Sequence, residues 1–155
     1  MKDRGKIGPK GPGMVKRVPA AGSGVRFDPP VPVVFRGRGG RAKCAAFLEF
    51  ADTPERRRAG LSKRASLGRM SGMLFDCTGP FWMKDVEFPL DLVFTDESGR
   101  ITEKTAMALD RDGSRRYPAG RTDSANAIEL PSGFCDAHGV EVGDEVVPVG
   151  LRKDI

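Results

Sequence analysis

"PLDLVFTDESGRITEK", residues 89–104, decides the fold class. Leu90, Leu92 and Phe94 recur at every second position, the period of one strand face. "DESGR" (96–100) then supplies an acidic start and a glycine, the chemistry of a tight turn, and "ITEK" leads away. Two extended runs joined this way predict an antiparallel hairpin. The same alternation appears upstream in "KCAAFLEFA" (43–51), where Cys44, Ala46, Leu48 and Phe50 share a face.

Outward from these two runs, the remaining segments are short and sharply punctuated. "ADTPERRRAGL" (51–61) predicts a helix of about two turns. Asp52 or Thr53 caps it, Pro54 suits its first turn and Gly60 ends it. "GMLFD" (72–76) and "FWMK" (81–84) predict short strands, with "CTGP" between them. "ANAIEL" (125–130) predicts another strand, "PSGFCDAHG" (131–139) a short helix, and "GDEVVPVG" (143–150) a last strand. Residues 105–124 form a long polar connection, a length at which loops are often functional. About seven short strands and two short helices imply a mainly β domain, a compact β-sandwich or irregular barrel. Repeated parallel crossovers are excluded, because the helical segments are too few and too short.

Residues 1–42 differ in kind. They are rich in Gly, Pro, Lys and Arg, and "GKIGPKGPG" (5–13) has no apolar face. Such a segment cannot bury enough surface to fold alone. The sequence therefore divides into an extended N-terminal arm, 1–42, and a β domain, 43–150. "DPPVPVVF" (28–35) reads as proline-stiffened chain and "RGRGGR" (36–41) as a basic hinge or hairpin loop. Charge follows the same division. Residues 1–43 hold eleven basic and two acidic residues, a balance of +9; residues 44–155 hold fifteen basic and nineteen acidic, a balance of −4. A basic arm on a mildly acidic body points to partners that the arm would reach.

Three cysteines, Cys44, Cys77 and Cys135, make a complete set of internal disulfides impossible. No apolar run is long enough to span a membrane. Prolines and glycines stand where the apolar core of a secretory signal would lie. These features lead to an expectation of synthesis in a cytoplasm, reduced thiols and no membrane partner.

Six blocks in order, "ADTPERRRAGL", "GMLF", "FWMK", "PLDLVF", "IELPSG" (128–133) and "HGVEVGDEV" (138–146), give the chain its resemblance to a known family. Across about residues 47–147 it resembles the domain of unknown function 192. The resemblance implies a compact β-sandwich-like domain and no reaction, since the family has no established activity. Many relatives are exported behind a signal sequence and lack a long basic arm. This chain differs in both respects.

Single residues offer weak chemical signals. Trp82, the sole tryptophan, would point away from Phe81 and Met83 and suits either a partner contact or a core or rim aromatic. Asp91 suits a turn-fixing carboxylate better than a catalytic one. Cys135 and His138 share a helix face, a thiol beside an imidazole, but no third residue is at hand to orient them. "RRY" (115–117) is a basic patch in the long connection. No phosphate-cradling glycine motif, acidic metal pair or Ser/His/Asp set stands out, so no catalytic residue, metal or cofactor is assigned.

The leading expectation is a structural protein, a component of a virion or similar large particle such as a tailed phage, whose arm laces into neighbouring protein subunits. The partner contacts would be Lys6, Lys10, Lys16, Arg17, Arg26, Arg36, Arg38 and Arg41 in the arm, and Trp82, Arg115, Arg116 and Tyr117 on the body. One alternative is a nucleic-acid-associated protein that neutralises phosphates with the arm. Another is a small ligand-binding or enzymatic domain using Trp82 and the 107–124 loop.

Overall fold

The computed structural model describes residues 22–150. They contain strands β1 (Val31–Arg36), β2 (Ala42–Ala51), β3 (Ser71–Phe75), β4 (Leu90–Thr95), β5 (Ile101–Met107), β6 (Asn126–Pro131) and β7 (Glu145–Pro148), with helices α1 (Pro54–Ala59) and α2 (Phe134–His138). All seven strands form one curled sheet in the order β5-β4-β6-β3-β2-β1-β7. The mainly β expectation and both short helices are therefore correct.

The sheet is antiparallel except at β2 and β3, which pair in parallel with Phe47 opposite Ser71. A parallel pair needs a long crossover. Residues 52–70 supply it, and α1 lies within it. Its caps are those the sequence specifies: Thr53 accepts the Arg56 amide at 3.1 Å, and Gly60 closes the helix. The β4–β5 hairpin pairs Leu92 with Thr105 and turns through residues 96–100. Its Gly99 has φ +93°, and a Cβ there would meet the Val146 carbonyl oxygen at 2.6 Å. That close approach lets the Val146 amide donate to the Gly99 carbonyl at 2.8 Å. Ile101 likewise donates to Asp144 at 2.7 Å, so the two outermost strands meet at one end and the sheet curls into a half-barrel.

Both faces of the sheet are covered. One face carries Val33, Phe35, Leu48, Ile128 and Leu130 and packs against Phe134 and Cys135 of α2. The other carries Met73, Phe75, Leu90, Leu92 and Phe94. It packs against Leu61 after α1, against Phe81, Met83 and Val86, and against Met107 and Tyr117. Strand β4 is consequently buried along its whole length. Buried aromatics contribute about 1.5–3 kcal/mol each, so the two cores share the work of holding the sheet.

Two sequence expectations need correction. The sequence places residues 31–36 in the arm, yet they form β1, hydrogen-bonded to β2 on one side and β7 on the other. Pro32 hides the strand signal, but Val33 and Phe35 are fully packed in the core. "RGRGGR" is thus the turn of the β1–β2 hairpin, with the Gly37 amide donating to the Arg41 carbonyl. "FWMK" is not a regular strand: Phe81 makes a single bridge to Tyr117, with backbone bonds of 2.9 and 3.0 Å in both directions.

Candidate functional site

The sequence-level candidates scatter. Lys6, Lys10, Lys16 and Arg17 lie outside the described residues. The Arg26 carbonyl accepts a 2.9 Å bond from Arg56, whose guanidinium also pairs with Asp28 and Asp52, and Phe27 lies under the Arg56 and Arg64 guanidinium groups. Residues 26–28 are therefore anchored on α1. Arg36 ends β1, and Arg38 and Arg41 belong to the β1–β2 turn, where Arg38 lies against Gly143. Tyr117 is a core residue, only 7% exposed, so its ring is no surface contact; Arg115 covers it at 5.0 Å.

Asp91 has the structural role its position suggests. On β4, facing α2, its carboxylate accepts the Gly133 amide at 3.2 Å and the Cys135 amide at 2.9 Å. It thus satisfies the open start of a five-residue helix. His138 turns its Nδ1 to the Phe134 carbonyl, 3.0 Å away. Burial, followed by the neighbouring Asp91, pushes the Cys135 thiol up to about 12. At neutral pH it is a packed thiol and not a nucleophile.

The chemistry gathers on the opposite face. A cleft of about 330 Å³ opens between the end of α1, the segment 77–86 and the middle of the sheet. Its inner wall is apolar: Leu61, Phe75, Phe81 and Val86, with the rings of Phe75 and Phe81 edge-on at 5.0 Å. Arg57, Arg58, Trp82 and Lys84 form its outer wall. Alternation fixes the split, because Phe81 and Met83 enter the core and leave Trp82 and Lys84 outward, with Trp82 41% exposed. Arg116 stacks on the Trp82 ring at 4.3 Å, and Lys84 lies 5.8 Å from the ring centre. Gly113 makes this packing possible. It has φ +68°, and a Cβ there would lie 2.7 Å from the Lys84 Cβ and 3.2 Å from the Trp82 ring. Two basic patches that are distant in sequence, 57–58 and 116, are thereby linked through Trp82 and Lys84.

Glu129 also lines this cleft and is 4% exposed. It stands on β6 between Met73 of β3 and Leu92 of β4, in the middle of the apolar face. Three acidic side chains are buried among the described residues, Asp91, Glu129 and Asp144. Asp144 pairs with Lys43 at 2.7 Å and also accepts the Glu141 amide. Glu129 alone makes no side-chain hydrogen bond or ion pair with a described residue. Burial pushes its carboxyl from the ordinary 4.5 up to about 8. At neutral pH the group is mostly protonated, offering one donor and one acceptor side by side. Buried acidic groups nearly always have partners, so an unpartnered one in a cleft marks a site. The outer cations are less constrained. Arg57 bonds Asp76 at 2.7 Å, whereas Arg58 and Lys84 form no ion pair with a described residue.

A half-barrel domain with a cleft on its outer face is the class that fold and site define. The family model for domain of unknown function 192, described as uncharacterised ACR, matches residues 37–148, and the chain belongs to that family. Among solved structures, a protein of Sinorhizobium meliloti described as "a putative transcription regulator" is similar. It is 29% identical, with a TM-score of 0.70, over 82% of this chain and 98% of its own. A protein of unknown function from Novosphingobium aromaticivorans shares the fold, with a TM-score of 0.66 at 24% identity over 84% of this chain and 99% of its own. No curated protein matches. No helix among the described residues is long and apolar enough to cross a membrane. Nor do the described residues gather three His, Cys, Asp or Glu side chains into a metal-holding group.

Proposed function

We propose that the chain is a small-molecule-binding domain whose ligand enters the cleft over β3 and β6. Glu129 carries this reading. Leaving a carboxyl buried without a partner costs several kcal/mol, a cost that a ligand bonding it would offset. The surroundings fit a ligand with an apolar body and a polar inner tip, the usual make-up of a small-molecule site. The particle-component expectation rests on the arm, whose first 21 residues lie outside the described ones. The cleft supports binding instead.

Trp82, the only tryptophan, stands on the cleft's outer wall, so intrinsic fluorescence reports directly on occupancy. A fragment panel screened against the full chain is expected to yield saturable quenching. Glu129→Met should abolish that quenching while keeping the fold. A ligand that binds elsewhere, with Trp82 emission and Glu129 both indifferent, would refute the proposal.

A further inference from the structure

We infer that the ligand is of nucleotide type: a flat, hydrogen-bonding heterocycle that carries a phosphate. This rests on the cleft reading above and adds the chemical class. Three parts of the cleft each select one part of such a molecule. At the inner end, the Glu129 carboxyl presents a donor and an acceptor side by side. That pair matches the adjacent acceptor and donor of a cyclic amide or amidine edge, as on a nucleobase. Along the inner wall, Phe75, Phe81 and Val86 offer flat apolar surface for a ring rather than for a flexible chain.

The outer wall selects the anion. Arg58 and Lys84 carry charges that no described acid neutralises, and Arg116 is held beside them on the Trp82 ring. Two cations at one opening, unpaired among the described residues, disfavour a cationic or neutral ligand. They exceed what one carboxylate needs and suit a phosphate dianion. Trp82 with a guanidinium already stacked on it is also the pairing on which proteins stack bases. The size limits the choice further. About 330 Å³ is near the lower bound for ligand sites, room for one nucleotide and not for two. The nucleotide can come free or as the end of a single strand, and the two sources share this chemistry.

The test uses the full chain and Trp82 fluorescence. The probes are the common nucleoside 5′-monophosphates, the matching nucleosides, indole-3-carboxylate and a 5′-phosphorylated tetranucleotide. At least one monophosphate should bind about tenfold tighter than its nucleoside, the 1.4 kcal/mol of a modest charge-assisted contact. Arg58→Gln with Lys84→Gln should remove that advantage, so that monophosphate and nucleoside bind with similar affinity. Glu129→Met should weaken nucleotide and nucleoside alike by at least about tenfold. Binding of the tetranucleotide as tightly as the monophosphate assigns a strand end, and its failure to bind assigns the free nucleotide. Binding of indole-3-carboxylate without any nucleotide would overturn the inference and leave the cleft reading standing. Nucleotide binding that ignores Glu129→Met would also overturn it. No binding at all, together with a Glu129→Met protein no more stable than the wild type, would sink the inference and the cleft reading together.

Discussion

Asp91 and Glu129 stand on neighbouring strands of one sheet, on opposite faces, and both are buried. Asp91 receives two backbone amides and fixes helix α2 to the sheet. Glu129 lies among Met73, Leu92 and Phe75 with no such partner among the described residues, beside a cleft. The contrast separates two uses of a buried carboxyl. One is satisfied within the fold and stabilises it. The other remains to be satisfied from outside, and the fold carries its cost. The face around α2 is a closed core, whereas the face around Glu129 is a core with an entrance.

The comparison can be broken most severely from the closed face. Removing residues 1–38 deletes β1, and with it Val33 and Phe35. The truncated chain should lose cooperative unfolding altogether, read by circular dichroism during heating. Removing residues 1–21 should leave the melting transition in place. A folded 39–155 fragment would mean that β1 is dispensable and the closed core is not where stability resides.

Next in size, Asp91→Ala strands the buried Cys135 amide and the part-buried Gly133 amide and should cost about 4 kcal/mol in denaturant titration. Glu129→Met should act in the opposite direction. It replaces a carboxyl that has no partner among the described residues with an apolar side chain of similar length and should stabilise the protein by about 3 kcal/mol at pH 8. Destabilisation by both substitutions would erase the distinction between the faces.

The smallest effect is a slope. The Glu129 carboxyl titrates at about 8 in the folded protein against 4.5 ordinarily, so the folded state keeps a proton that the unfolded state releases. Its contribution to stability is full below pH 4.5 and is lost as pH rises to about 8. The ligand-free protein should lose about 1 kcal/mol per pH unit across that window. Glu129→Gln should flatten this slope. An unchanged slope would place the proton elsewhere.

Much of the architecture is legible in local patterns. Leu90, Leu92 and Phe94 announce a strand face, and Thr53, Pro54 and Gly60 mark both ends of α1. The caps need only short-range chemistry, which a sequence displays directly. β1 is hidden because Pro32 and the flanking arginines look like linker, and its strand character comes from pairing on both sides. Glu129 is hidden for a related reason. In "ANAIEL" it alternates with Ile128 and Leu130, which marks it as the solvent side of a half-buried strand. The sheet is covered on both faces, so that side is interior too. The run Leu92-Val93-Phe94 in β4, its neighbour, is apolar on both faces and is the available hint. Trp82 stands out in the sequence as the sole tryptophan, but its link to Arg116 and the cleft depends on two loops meeting.

At high concentration, the meeting of the sheet's two ends at Gly99 acts against aggregation. Open strand edges are templates onto which a second chain adds a strand. Here the start of β5 is occupied by residues 144–146 of the same chain. Farther along, Glu103 accepts the amides of Gly120 and Arg121 and holds that segment beside it. A side chain at position 99 would push Val146 away and expose β5 and β7 together. The one hydrogen atom that serves as the Gly99 side chain therefore protects two edges, and its loss would turn a local clash into a route to fibrous assembly.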